Sequence, residues 1–288
     1  MKFYSPLRYP GGKGKTSNFF SYLLDYNNLK GGVYVEPYVG GGSVALYLLF
    51  NEIVNKIVIN DKDKSIYAFW YSVIHNTDSL CKMIKDTPID VNCWKEQQEI
   101  QKHKDDVDLL TLGFSTFFLN RTNRSGIIKG GIIGGYEQKG TYKIDARFNK
   151  ENLISRIRKI SEYAKDIDLY NIDAADLISE QKNILPDNTL FYFDPPYYVK
   201  GKGLYMNFYN EQDHENLYKA ISQIENQKWV VTYDYVPFIS NLYNKYRIEE
   251  YYLNYCAQTV GKGKEYMIFS DNINIPKHEL LMTESTSH

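Results

Sequence analysis

Three cysteines in 288 residues, Cys81, Cys93 and Cys256, are too few and too widely spaced for a disulfide framework or a cysteine-built zinc site. They read as reduced, mostly structural thiols. The five histidines are scattered without metal-ligand spacing, so no metal is expected. No run approaches the ~18 uninterrupted apolar residues of a membrane span. The opening MKFYSPLRYP also has none of the apolar stretch of a secretory signal, and a cytoplasmic location is expected. An excess of either charge is missing as well. The net charge is −1 at pH 7, which by itself argues for no polyanionic partner.

What is present is enough apolar material for a real core, 43% of the residues, in one large domain or one domain with an insertion. VYVEP (33–37), GSVALYLLFNEI (42–53) and KIVIND (56–61) read as strand, helix and strand, a β-α-β unit. From about 64 to 120 the pattern is helical. RSGIIKGGIIGGY (124–136) places two short β-branched runs around Lys129-Gly130-Gly131 and predicts a hairpin. After the amphipathic RFNKENLISRIRKI, alternation resumes with DLYN, DAADLISEQ, NTLFYFD (188–194), a helix at 211–225 and KWVVTYD (228–234). YRIEEYYLNY and EYMIFSD close the series as a strand pair. The expected architecture is an α/β sheet domain spanning 1–75 and 150–275, an insertion at 76–149 and a tail at 276–288.

Charge is unevenly placed on this neutral chain. Residues 121–160 hold ten lysines and arginines against Glu137, Asp145 and Glu151. A local basic patch of this kind suits a polyanion.

Three features fall at strand ends, where open α/β sheets bind their ligands. In YVEPYVGGGSVA a strand runs into Gly40, Gly41 and Gly42 and then a helix, so a ligand can approach the backbone. Asp61 ends the next strand, 21 residues after Gly40, a spacing that suits a carboxylate accepting from ribose hydroxyls. These two features indicate a nucleoside site without choosing between a nicotinamide cofactor and S-adenosylmethionine.

The third feature chooses. LFYFDPPYY (190–198) puts Asp194, Pro195, Pro196 and Tyr197 directly after an apolar strand. The prolines have no N–H, so they form a rigid turn with free carbonyls. That turn offers a carboxylate, a proline carbonyl and an aromatic face together. An exocyclic amine on a purine is a poor nucleophile because its lone pair is delocalised. Acceptors aimed at its N–H groups favour a pyramidal nitrogen, and Tyr197 is suited to stack on the ring.

RYPGGKGKTS (8–17) looks like a phosphate loop, but Tyr9 stands where the first glycine of that motif belongs. The order of YPGGK, EPYVGGG and DPPY resembles the Dam-type, D12-class DNA adenine-N6 methyltransferases, from Tyr9 to about Ser270. The resemblance implies a Rossmann-like fold dependent on S-adenosylmethionine. It implies that Tyr9, Gly12 and Lys13 help hold that cofactor, with Glu36, Pro37, Tyr38, Gly40, Gly42, Asp61, Asp176 and Asp194. Asp63 departs from the commonest pattern, which leaves Asp61 and Asp63 as alternative ribose ligands, and Leu177 departs from it beside Asp176.

The same resemblance puts target recognition in the insertion, where the helical and hairpin segments and the basic patch lie. LNRTNRSGIIKGGIIGG offers arginines suited to guanine and asparagines suited to adenine. Asn120, Arg121, Asn123, Arg124, Lys129, Lys139 and Arg147 are the expected DNA contacts. The expected partner is double-stranded DNA, with a restriction endonuclease acting on the same site as a further candidate, and the expected state is a monomer or weak dimer. The rival readings are methylation of RNA or of a protein glutamine, and an inactive DNA-binding relative.

Overall fold

Strands covered on both faces have no polar side to alternate, and the apolar runs of this chain behave accordingly. The computed structural model describes residues 4–8, 16–199, 209–255 and 261–276. In chain order its elements begin with α1 (Ser17–Tyr26), β1 (Val33–Glu36), α2 (Ser43–Phe50), β2 (Lys56–Asn60) and α3 (Lys64–His75). The helical region adds α4 (Thr77–Asp86), α5 (Val91–Lys102), α6 (Leu109–Thr122) and α7 (Lys150–Ser161). Alternation returns with β3 (Ile167–Tyr170), α8 (Ala174–Gln181), β4 (Thr189–Phe193), α9 (Glu211–Ile221) and β5 (Lys228–Asp234). The described elements end with α10 (Pro237–Leu242), β6 (Arg247–Tyr255) and β7 (Gly261–Phe269).

The strands form one seven-stranded sheet in the order β3-β2-β1-β4-β5-β7-β6, with β7 antiparallel between β5 and β6. This is the expected Rossmann-like α/β sheet flanked by helices. β1 pairs in parallel with β2 on one side and β4 on the other, Val35 lying opposite both Val58 and Phe191. The order therefore reverses at β1, and the carboxyl ends of β1, β2 and β4 meet at the switch point, where such sheets bind ligands.

Successive strand residues feed opposite layers. Tyr34, Ile57, Leu190 and Tyr192 pack with Phe20 and Leu23 of α1 and with α2 and α3. Val35, Val58, Phe191 and Phe193 pack with Leu177 and Ile178 of α8 and Leu217 and Ile221 of α9.

The insertion does not have a core of its own. Phe114, Phe117 and Phe118 of α6 and Phe148 join Phe69, Trp70 and Val73 of α3 in the first layer, which also takes in Leu153 and Ile157 of α7. The Phe69 and Phe117 rings stack at 6.0 Å.

The hairpin expected at 124–136 is a correction. One isolated antiparallel bridge, Asn123 to Ile132, replaces a ladder. The backbone groups a ladder would use are taken locally: the Asn123 side-chain amide donates to the carbonyls of Ile127 and Ile128, and the Gly130 amide donates to Ile127. Ile128 and Ile132 turn inward to the core instead of pairing. Among the described residues no helix is long and apolar enough to cross a membrane, and no group of His, Cys, Asp or Glu is placed to hold a metal ion.

Candidate active site

β1 stops at Glu36 because Pro37 has no amide to extend the ladder. The chain then turns through Gly40 (φ 43°) and Gly42 (φ 60°), both left-handed, into α2. A Cβ on Gly42 would also lie 2.8 Å from the Trp70 ring. Trp70 holds the turn from behind by donating its indole N–H to the Gly40 carbonyl at 3.0 Å.

The Gly40 amide donates to Oδ2 of Asp61 at 3.0 Å, and the Asp63 amide donates to Oδ1 at 3.0 Å. Burial, followed by the charge of Asp63, pushes the Asp61 carboxyl up to about 7. Asp63 acts elsewhere, its carboxylate capping α3 by accepting the Ser65 amide at 3.0 Å. Of the two alternative ribose ligands, Asp61 is thus the one joined to the glycine turn. Glu36 is buried and accepts the Ala45 amide at 3.3 Å. Burial and then the nearby Asp194 charge raise its carboxyl well above the usual range.

β4 delivers Asp194 one residue past its end, half-buried, with Pro195, Pro196 and Tyr197 buried behind it. Thr232 of β5 donates its hydroxyl to Asp194 Oδ1 at 2.7 Å. The Tyr197 hydroxyl donates to Oε2 of Glu265 at 2.7 Å, and Tyr251 donates to the same oxygen at 2.6 Å. The amides of Tyr198 and Val199 donate to Asp234 at 3.0 and 2.8 Å. Burial first, then the Asp194 charge, keeps the Tyr197 phenol protonated far above its ordinary range.

Thr232, Asp234 and Glu265 did not emerge from sequence reasoning. The available signal was weak: they are among the few polar positions in the mostly apolar runs KWVVTYD and EYMIFSD, which also contain Lys228, Ser270 and Asp271.

The remaining expected cofactor residues divide. Tyr9, Gly12 and Lys13 lie outside the described residues. Tyr38 is on the glycine turn, with its hydroxyl 3.0 Å from that of Tyr209. Asp176 is exposed in the first turn of α8. Asp173, which caps α8, is the acid whose charge reaches Tyr38 and Tyr209.

This donor set fits S-adenosylmethionine. Asp61 offers an acceptor for ribose hydroxyls beside a turn stripped of side chains. Glu36 and Asp194 oppose each other's ionisation, and a cationic ligand relieves that conflict.

The expected DNA contacts also divide. Asn120 is 1% and Asn123 0% exposed, so neither side chain reaches a base edge. Asn120 accepts the Arg8 amide at 2.7 Å and donates to the carbonyls of Arg8 and Gly126 at 2.7 and 2.8 Å. Asn123 accepts the Trp94 indole N–H at 2.6 Å. Arg124, Lys129, Lys139 and Arg147 are exposed, with Lys139 paired to Glu137. Arg121 donates to the Arg147 carbonyl at 2.8 Å. Burial, then the charges of Arg8, Arg156 and Arg147, lower its guanidinium to about 9. Arg8 and Arg156 are not among the expected DNA contacts, because their distance in the chain from Arg121 gives no sign that the three come together.

Among solved structures, the chain is similar to the rRNA methyltransferase aviRa of Streptomyces viridochromogenes, with 12% identity, a TM-score of 0.42 and coverage of 92% of this chain and 87% of that one. It is also similar to a SAM-dependent methyltransferase of Agrobacterium tumefaciens, at 7% identity, a TM-score of 0.42 and coverage of 88% and 61%. In sequence it is 24% identical over 265 residues to the type II methyltransferase M.MjaIII of Methanocaldococcus jannaschii, covering 85% of this chain and 89% of that protein. The model of the D12 class N6 adenine-specific DNA methyltransferases matches residues 9–255, which include the glycine turn, Asp61 and the Asp194-Pro195-Pro196-Tyr197 turn. The chain belongs to that class: it is an adenine-N6 methyltransferase of DNA that uses S-adenosylmethionine.

Proposed function

We propose that the enzyme methylates an adenine turned out of double-stranded DNA and seated against Asp194, the Pro195 carbonyl and Tyr197. The amine of a stacked adenine is enclosed by the duplex, so enzymes that modify a base extrude it first. The observation that carries this reading is the Asp194 carboxylate, held by the Thr232 hydroxyl at 2.7 Å beside the buried Tyr197 ring. When bound, S-adenosylmethionine supplies an electrophilic methyl group on a sulfonium. Asp194 and the Pro195 carbonyl accept the two N6–H groups, which localises the nitrogen lone pair for attack. Tyr197 supports the ring. With the donor bound, the N–C bond would form as the S–C bond breaks, and the extra amine proton would leave by way of Asp194 to water. Glu36 and Asp194 oppose each other's ionisation, so a cationic donor suits the pair better than its neutral product does.

Asp61 takes the ribose hydroxyls, with Glu36, Pro37, Tyr38, Gly40 and Gly42 around it. Tyr9, Gly12 and Lys13 complete the cofactor site. Asp176, exposed in the first turn of α8, serves the adenine side, while Asp173 beside it is held by Lys62 and the Ala175 amide. Residues 1–75 and 150–275 form the catalytic part and 76–149 the recognition part, with 276–288 as a tail.

DNA binding is supported by Arg8, Arg121 and Arg156, which are partly buried, and by the exposed Arg147, the charges of all three others opposing that of Arg121. Like charges brought out of water need an anion, and backbone phosphates supply it. Arg124 and Lys129 are exposed for groove contacts, whereas Asn120 and Asn123 scaffold the loop. The enzyme works at the nucleoid as a monomer or weak dimer, either alone or beside an endonuclease of the same specificity.

The test is transfer of a tritiated methyl group to unmethylated DNA. Asp194→Ala should lose at least about a hundredfold in rate, as expected when an acceptor for the reacting group is removed. Transfer at the wild-type rate rejects the assignment. Methylation-sensitive sequencing of DNA from cells expressing the enzyme identifies its site.

A further inference from the structure

Asp234 and Glu265 lie directly opposite each other where β5 pairs with β7, and both are buried. Two carboxylates in a cross-strand pair repel, so a sheet tolerates them only where each is supplied with donors. Both are supplied by the turn that follows β4. Glu265 receives the Tyr197 hydroxyl at 2.7 Å, and Asp234 receives the next two backbone amides, Tyr198 at 3.0 Å and Val199 at 2.8 Å. Two residues earlier on β5, on the same face, Thr232 holds Asp194 at the other end of the turn.

On the reading of Tyr197 as the support for the flipped base, we infer that Asp234 and Glu265 are positioning residues, a carboxylate clamp that presets the plane of the Tyr197 ring. A tyrosine ring has two soft torsions. Anchoring its hydroxyl while the following amides are bound leaves no rotation that keeps both ends satisfied. Tyr251, donating to the same Glu265 oxygen at 2.6 Å, holds the anchor itself in place. Two strands, β1 and β4, separate the clamp on β5 and β7 from Asp61 at the end of β2, so the clamp serves the DNA substrate.

The experiment uses full-length enzyme, unmethylated genomic DNA and S-adenosylmethionine, with rates and cofactor affinity measured separately. Tyr197→Ala should lose about 5- to 150-fold in methyl transfer, the range that corresponds to the ~1–3 kcal/mol of a base-stacking aromatic. Glu265→Ala should lower kcat/KM for DNA about tenfold or more while calorimetric cofactor affinity holds. Glu265→Gln, which keeps an acceptor oxygen, should recover most of that loss. Tyr197→Phe keeps the ring and drops the anchor, so adding Glu265→Ala to it should cost less than about twofold more. If Glu265→Ala does not fold, Tyr197→Phe alone carries the test, with the same tenfold loss expected. Wild-type kcat/KM in Glu265→Ala or in Tyr197→Phe, or losses that multiply in the double variant, overturns the clamp. Full activity in Tyr197→Ala overturns the underlying reading instead.

Discussion

Gly40 donates its amide to Oδ2 of Asp61 across 3.0 Å, tying the glycine turn after β1 to the acidic end of β2. The Asp61 carboxyl sits at about 7, raised by burial and then by Asp63 from an ordinary 3.8. Ribose hydroxyls donate to the ionised form, so cofactor affinity should rise about tenfold between pH 6 and pH 8. Stability runs the other way. The folded chain keeps a proton that the unfolded chain has released, so this contribution is full below about pH 4 and lost as pH rises through about 7. Calorimetry of S-adenosylmethionine binding across this range checks the first statement. Asp61→Asn should bind weakly with a flat profile, and a flat wild-type profile rejects the role.

Thr232 reaches Asp194 at 2.7 Å from the neighbouring strand. Thr232→Val removes the hydroxyl with little change of shape and leaves the carboxylate less well aimed. A hydrogen bond to a charged group contributes about 1.5–3 kcal/mol, so single-turnover methyl transfer should slow by at least about tenfold. Cofactor affinity should stay level. An unchanged single-turnover rate contradicts the aiming role.

Asn120 makes three hydrogen bonds from a fully buried side chain. Asn120→Ala strands the Arg8 amide and two carbonyls, and should destabilise the fold by about 2–4 kcal/mol in urea denaturation. The set of DNA sites methylated should not change. A shifted recognition sequence with intact stability would restore Asn120 as a base reader.

Arg121 and Arg147 repel one another in the cluster that also holds Arg8 and Arg156. If each meets a phosphate, Arg121→Ala and Arg147→Ala should each reduce the slope of log affinity against log salt by about 0.9. The loss should be similar on any DNA sequence. Filter binding at several salt concentrations measures both, and an unaltered slope removes the residue from the phosphate contacts.

The sheet was legible because its strands are short β-branched or aromatic runs separated by helix-period segments, and all seven were read at nearly their observed places. Asp194 and Asp61 stood out in the sequence because they end such runs, and the structure has them directly after β4 and β2. The hairpin misled because the period of the Ile127-Ile128 and Ile132-Ile133 runs carries no information about Asn123, whose side chain takes the carbonyls that a ladder would need. Glu265 and Arg8 were invisible for a related reason. Their significance lies in what faces them, Tyr197 at a separation of 68 residues and Asn120 at 112.

Phe117, Phe118 and Phe148 share their packing with Phe69 and Trp70, and Trp70 in turn holds the Gly40 carbonyl. Residues 76–149 are therefore not a cassette that can be lifted out and exchanged between enzymes. Grafting the whole segment would tear the wall behind the glycine turn. If the segment reads the target sequence as proposed, the exposed positions between Arg124 and Arg147 are where replacement leaves that wall standing.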